Sequence, residues 1–283
     1  TKIKNVLLKE SDAKKSGVGR AYLYPADYYK DLEKVFDEKL SELGPEDGRS
    51  FTRSQEKAFR QLYRKNITLL IGPPGTGKTD FIARAVITLC RYYHLLGKRM
   101  SVLVSANSHS AINNILAALA EKESGKQGEP KLFKLEKWGD DGEDAIEGVS
   151  LARNYGSGEE GIIKSCDVYS FRQSDTFVMG STCWQILKSI EQYNERYVSG
   201  KSNQRRDAPD CHFAGFDLVI IDEASQVRLM DSLLNLHASL DNPGTRFLIV
   251  GDDDQLPPII QGKYEPEGNV YIYGSAFRFF LDC

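Results

Sequence analysis

Eight residues, Gly72-Pro73-Pro74-Gly75-Thr76-Gly77-Lys78-Thr79, restrict this chain more than any other stretch. They fit the pattern G-x-x-x-x-G-K-[ST]. Just before them, Ile67-Thr68-Leu69-Leu70-Ile71 predicts a short buried strand. After them, Phe81, Ile82, Ala85, Val86, Leu89 and Tyr93 predict one face of a helix running to Leu96. Strand, glycine loop and helix in that order form a unit suited to phosphate. The glycines let backbone N–H groups come close, and the helix N-terminus adds partial positive charge. The alternative is a plain glycine turn before a helix. With glycine near 7% of average sequence, the bare pattern arises by chance in roughly one chain in a hundred of this size, and the flanks lower that further. Gly72, Gly75, Thr76 and Gly77 are then expected to cradle the phosphates of ATP. Lys78 would reach the β- and γ-phosphates, and the Thr79 hydroxyl would ligate magnesium.

At 283 residues the chain suits one large domain or one domain with insertions, and 41% apolar residues can build a core. No stretch is long and apolar enough to span a membrane, and no N-terminal segment has the form of a signal peptide. A soluble, intracellular protein is expected, with cytoplasm and nucleus not distinguished. The five cysteines are scattered without a C-x-x-C pair, and the four histidines lack ligand spacing, so neither structural zinc nor disulfides are expected. A net charge of −3 argues against a protein that coats duplex nucleic acid. It leaves room for a local groove that holds one strand.

Along the chain, Tyr28, Leu32, Val35, Phe36, Leu40 and Leu43 predict a helix stopped by Gly44-Pro45, within an N-terminal helical extension over 1–50. A second helix starts at Phe51-Thr52-Arg53-Ser54-Gln55, shortly before the glycine-loop strand. The Gln55 amide can pair with both a donor and an acceptor on adenine. Met100 to Ala106 predicts another buried strand, ending in Ser105, Asn107 and Ser108 ahead of a helix with Ile112, Ile115, Leu116 and Leu119. Helix capping alone would account for those polar residues. Glu, Lys and Gly dominate 122–175, which reads as a surface insertion. Thr176 to Thr182 resumes a strand that ends in Ser181 and Thr182, and a second insertion follows over 187–215 with Lys201, Arg205 and Arg206. Leu218-Val219-Ile220-Ile221 then leads into Asp222-Glu223. Two carboxylates at the end of a buried strand suit a nucleotide site. Asp222 would hold magnesium, and Glu223 would polarise the water that attacks the γ-phosphate. A last strand, Arg246 to Val250, runs into Gly251-Asp252-Asp253-Asp254-Gln255-Leu256-Pro257-Pro258, where Gln255 is placed to sense the γ-phosphate.

In order, FTRSQ, GPPGTGKT, DEASQ and GDDDQLPP resemble the motifs of superfamily 1 helicases, and the last two point to branch 1B, which includes senataxin and the helicase of nonsense-mediated decay. The resemblance covers about residues 50 to 283, with VSANSHSAINNIL similar to motif Ia and VMGSTC to the strand-contacting motif ahead of the carboxylates. It implies an α/β, RecA-like P-loop NTPase domain over 51–283, with a mainly parallel sheet and helices on both faces. It also implies that Gln55 recognises adenine, that Lys78, Glu223 and Gln255 serve catalysis, and that Ser105, Asn107, Ser108, Ser181 and Thr182 line a groove for single-stranded DNA or RNA. Travel from 5′ to 3′ is implied too. Asp80 departs from the family, which more often has a hydroxyl residue there. Motifs IV to VI belong in the family to a second RecA-like domain. The chain is therefore expected to be the first motor domain of a larger helicase, with little activity alone. A P-loop ATPase that unwinds nothing and a nucleotide-binding scaffold are the alternatives.

Overall fold

A computed structural model describes residues 51–122, 125, 127–136, 145–153, 176–193, 215–237, 244–252, 254–260 and 273–282. The elements in chain order are α1 (Arg53–Arg64), β1 (Ile67–Ile71), α2 (Lys78–Leu95), β2 (Ser101–Ser105), α3 (His109–Ala120), β3 (Lys131–Glu136), β4 (Val149–Arg153), β5 (Phe177–Gly180), α4 (Cys183–Tyr193), β6 (Leu218–Ile221), α5 (Leu229–His237), β7 (Arg246–Gly251) and α6 (Ala276–Asp282). The strands form one sheet in the order β1-β7-β6-β2-β5-β3-β4. Every pairing among them is parallel. The expected parallel α/β architecture is what the chain adopts.

Side-chain alternation explains why these runs become central strands. Val102 and Val104, Leu218 and Ile220, and Leu248 and Val250 join one core with α1, α2 and α3. Leu103, Val219 and Ile221, and Phe247 and Ile249 point the other way, into a core with α4, α5 and α6. A strand buried on both faces must be apolar at every position, which is why each reads as a continuous aliphatic run. Helix against strand is close. A Cβ on Gly180 of β5 would lie 2.6 Å from Ile112 and 2.7 Å from Leu116 of α3.

Two expectations change here. The stretch 122–175, read as a surface insertion, supplies β3 and β4, and β3 pairs with β5 from Lys131↔Phe177 onward. In Lys131-Leu132-Phe133-Lys134-Leu135 the three apolar side chains are buried. The surrounding Glu, Lys and Gly hid so short a run. The second stretch, 187–215, opens inside α4, which continues to Tyr193. Its basic residues Lys201, Arg205 and Arg206 lie outside the described residues, as does the helix expected over Tyr28 to Leu43.

Candidate functional site

Parallel strands deliver their following loops to one edge of the sheet, and that edge gathers the motifs. Gly72 N–H donates to the Gly251 carbonyl, joining the loop after β1 to the end of β7. Ala224 N–H donates to Val250, Asp222 N–H to Ser105, and Ser181 N–H to Val104. The row therefore runs from the glycine loop through Asp252, Asp222 and Ser105 to Ser181.

The glycine loop turns through left-handed residues at Gly75 (φ 77°) and Gly77 (φ 80°), where a side chain would be strained. Gly77 is the N-cap of α2 and has no side chain to cap it, so the first N–H groups of the helix face outward. The Thr76 hydroxyl donates to Pro73 O at 2.8 Å. Lys78 Nζ donates to the carbonyls of Gly72 and Pro73, the latter at 3.1 Å. Thr79 is half-buried in the first turn of α2. Asp80, the departure from the family pattern, forms ion pairs with Arg84 at 2.9 Å and Lys122 at 2.8 Å. Its charge is thereby compensated by two cations of its own.

Beside this loop lies a cleft of 510 Å³, lined by Gln55, Ala58 and Gln61 of α1, Leu70 of β1, and Gly77 and Lys78. It has the size and mixed lining of a small-molecule site. Gln55 is positioned by a capping box: Thr52 N–H donates to Gln55 Oε1 at 3.0 Å, and Gln55 N–H donates to the Thr52 hydroxyl at 3.3 Å. Its amide is fixed before any ligand arrives, with the oxygen already engaged and the NH2 group available to an acceptor. Thr52 thus has a part that the sequence showed only as an ordinary helix start.

Asp222 follows β6 and is 9% exposed. Burial pushes its carboxyl above the usual carboxylate range. The Glu223 N–H, donating to Asp222 Oδ1 at 2.9 Å, opposes the rise, the Glu223 charge adds to it, and the Lys78 ammonium opposes it. Glu223 has φ 51°, the one non-glycine with positive φ among the described residues. That left-handed turn costs on the order of 1 kcal/mol. It turns the chain directly after the strand, and Gln226 N–H closes it on Glu223 O at 2.8 Å.

Sequence reasoning missed Ser225. This buried serine donates to Asp252 O at 2.7 Å and accepts from Asp252 N–H at 2.8 Å, clamping DEASQ to GDDDQ. The only sequence signal was a small hydroxyl residue beside a carboxylate pair. Gln255 sits half-buried just beyond, in a turn closed by its own N–H on Asp252 O at 3.2 Å.

The five residues expected along a strand groove divide. Ser105 and Ser181 are buried, with Ser105 Oγ 3.7 Å from Cys183 Sγ and Ser181 Oγ donating to Thr182 O at 3.1 Å. Their side chains serve the interior: Ser105 is the last residue of β2, and Ser181, the first after β5, is still held to the sheet by its N–H on Val104 O. Asn107 is exposed. Ser108 caps α3, accepting from Ala111 N–H at 3.2 Å, and donates to Glu223 Oε2 at 3.4 Å. Thr182 Oγ1 accepts from Gln185 N–H at 3.4 Å. Capping is therefore real at both positions, and Ser108 also touches the carboxylate pair.

Comparison with known proteins gives the same picture. Residues 55–261 match the family model described as an AAA domain. The chain is 30% identical over 230 residues to the DNA replication ATP-dependent helicase/nuclease DNA2 of Saccharomyces cerevisiae, covering 81% of this chain and 12% of that protein. Against DNA2 of Homo sapiens it is 29% identical over 240 residues, covering 82% and 19%. The putative ATP-dependent RNA helicase ECM32 of S. cerevisiae is 26% identical over 223 residues, covering 72% and 18%. This chain thus spans less than a fifth of the length of these relatives. The matched residues run from Gln55 through Gln255 and take in the whole row of loops: the chain belongs to the AAA domain family, and its motor region is of the superfamily 1B helicase type.

Proposed function

We propose that this segment is the first motor domain of a protein that couples ATP hydrolysis to movement along a single nucleic-acid strand, with 5′ to 3′ travel. The observation that carries the reading is the row of strand-end loops. Phosphate loop, carboxylate pair and polar strand ends are tied to one another by backbone hydrogen bonds, and Ser108 bridges the last two. In this reading Gln55 donates to adenine from its fixed amide. The glycine loop and the N-terminus of α2 bind the phosphates, and Lys78 leaves the carbonyls of Gly72 and Pro73 for phosphate oxygens. Glu223 accepts the proton of the attacking water. Gln255 follows the γ-phosphate and passes its loss through Asp252 and Ser225. Asn107, Ser108 and Thr182 face the strand.

Magnesium fits the residues present. Asp222 is a buried carboxyl whose ionisation a divalent cation would favour, and Thr79 lies in the first turn after Lys78. No cluster of three or more His, Cys, Asp or Glu stands ready for a metal among the described residues. That suits an ion held by one or two protein groups and by phosphates. Bound there, it would neutralise charge on the β- and γ-phosphates.

Among the described residues no helix is long and apolar enough to cross a membrane. A second RecA-like domain of the full protein is proposed to close the exposed side of the nucleotide.

The test is steady-state ATP hydrolysis by the full-length protein with single-stranded DNA, single-stranded RNA or neither. A strand should stimulate turnover. Glu223→Gln should keep nucleotide binding and lose on the order of 10² or more in turnover, whereas Lys78→Ala should lose affinity. No stimulation by either strand, or normal turnover in Glu223→Gln, would overturn the reading.

A further inference from the structure

Trp184, the second residue of α4, is 52% exposed, while Cys183 and Ile186 beside it are buried. The other exposed large apolar side chains among the described residues, Ile71, Leu95, Leu256, Ile259 and Leu281, are all aliphatic. Single exposed apolar residues are ordinary on a protein surface. What sets Trp184 apart is its company. Lys188 lies four residues on and is also exposed, so ring and ammonium share one face of the helix. Thr182 caps the same helix. β5, which delivers the helix, pairs with β2, whose following loop carries the exposed Asn107. An aromatic plane and a cation thus stand at the carboxyl edge of the sheet, on the side of β2 away from the glycine loop.

A nucleic-acid strand offers the matching chemistry: flat bases, each with a π-face, joined by anionic phosphates. An aromatic ring stacks on any base, and a neighbouring cation takes a phosphate. We propose that Trp184 is a stacking platform for one unpaired base, with Lys188 on an adjoining phosphate. This rests on the reading of the chain as a single-strand motor and adds a base contact to it. Because every base can stack, the contact would grip the strand without selecting sequence.

The experiment measures binding of the full-length protein to end-labelled strands of equal length by fluorescence anisotropy. The strands are oligothymidylate, oligouridylate and an abasic sugar–phosphate chain. Trp184→Ala should weaken binding to the two strands with bases roughly 5- to 100-fold, the scale of one lost stack. It should leave the abasic chain unaffected. Trp184→Phe should keep most of the affinity. Lys188→Ala should lower the slope of log affinity against log salt by about one. Unchanged binding of Trp184→Ala to every strand would overturn the proposal, and so would equal weakening on the abasic chain. A fall in its affinity for labelled ATP would also overturn it, by making Trp184 a part of the fold. If the unmutated protein bound none of the strands, the single-strand reading itself would fall, an outcome visible without any variant. A protein partner on this face would appear as unaltered strand binding in Trp184→Ala.

Discussion

Asp222 and Glu223 are adjacent in sequence, yet the structure gives them different tasks by giving them different surroundings. Asp222 is buried and its carboxyl is pushed up mainly by that burial. Glu223 turns off the strand in a left-handed conformation and reaches the Ser108 hydroxyl. The linkage sign for Asp222 follows from the direction of its shift. A carboxyl with a raised folded pKa binds protons more tightly folded than unfolded. Its contribution to stability is fully present below the unfolded value and is lost as pH rises through the folded one. Asp222→Asn removes that loss while keeping an oxygen for the Glu223 N–H. We expect this variant, scanned for thermal unfolding without magnesium or nucleotide, to melt above the wild type at neutral pH. The gap should close as pH falls through the raised value into the ordinary carboxylate range. Parallel curves at every pH would mean that Asp222 is not the titrating group.

Among the elements, α6 is tied most directly to the carboxylate turn. Phe277 N–H donates to Ala224 O at 3.2 Å, Ala276 N–H donates to Val227 O at 2.8 Å, and Leu229 N–H donates to Gly274 O at 2.8 Å. Gly251 makes room for this. A Cβ there would lie 2.6 Å from the Phe277 ring and 2.7 Å from Ser225 Oγ. Gly251→Ala should therefore lower stability by about 1–3 kcal/mol through overpacking, read as a shift in the denaturation midpoint. Adding Phe277→Leu should recover part of it, since residues in contact do not act independently. Strictly additive losses would show that the two do not meet. The central strands were legible in the sequence because burial on both faces leaves an aliphatic run that little else produces. β3 was not, because Leu132, Phe133 and Leu135 are broken up by Lys134 and flanked by Lys131 and Glu136 inside a charged, glycine-rich stretch. The glycine loop and the carboxylate pair were legible as local patterns. Partners far along the chain were not: nothing in the letters joins Ser225 to Asp252 or Ser108 to Glu223. For the same reason Ser105 and Ser181 read as surface donors, when only the assembled sheet reveals that both are buried.

At the scale of the whole molecule, neither described arginine in the last forty or so residues is placed to meet the γ-phosphate at the edge that carries the motifs. Arg246 is buried in β7, and Arg278 on α6 pairs with Asp282 at 3.1 Å. An arginine finger is typically worth about 10³ to 10⁵ in rate. Residues 1–283 assayed alone should therefore turn over ATP well below about one per second, the low end of ordinary enzyme rates, with or without a strand. Faster, strand-stimulated hydrolysis would place such an arginine within these residues. The sheet order has a further consequence, for the making of the protein. β1 is an edge strand whose described neighbour is β7, with Ile67 beside Phe247. The strand that presents the glycine loop is therefore synthesised early and seated late. Contacts so distant along the chain form slowly, and an unpaired apolar strand can pair wrongly while it waits. A nascent chain that has emerged only as far as Ile221 already carries the phosphate-binding sequence and α1, but not β7, the strand with which β1 pairs. Within this segment, the nucleotide site is complete only once β7 has joined the sheet.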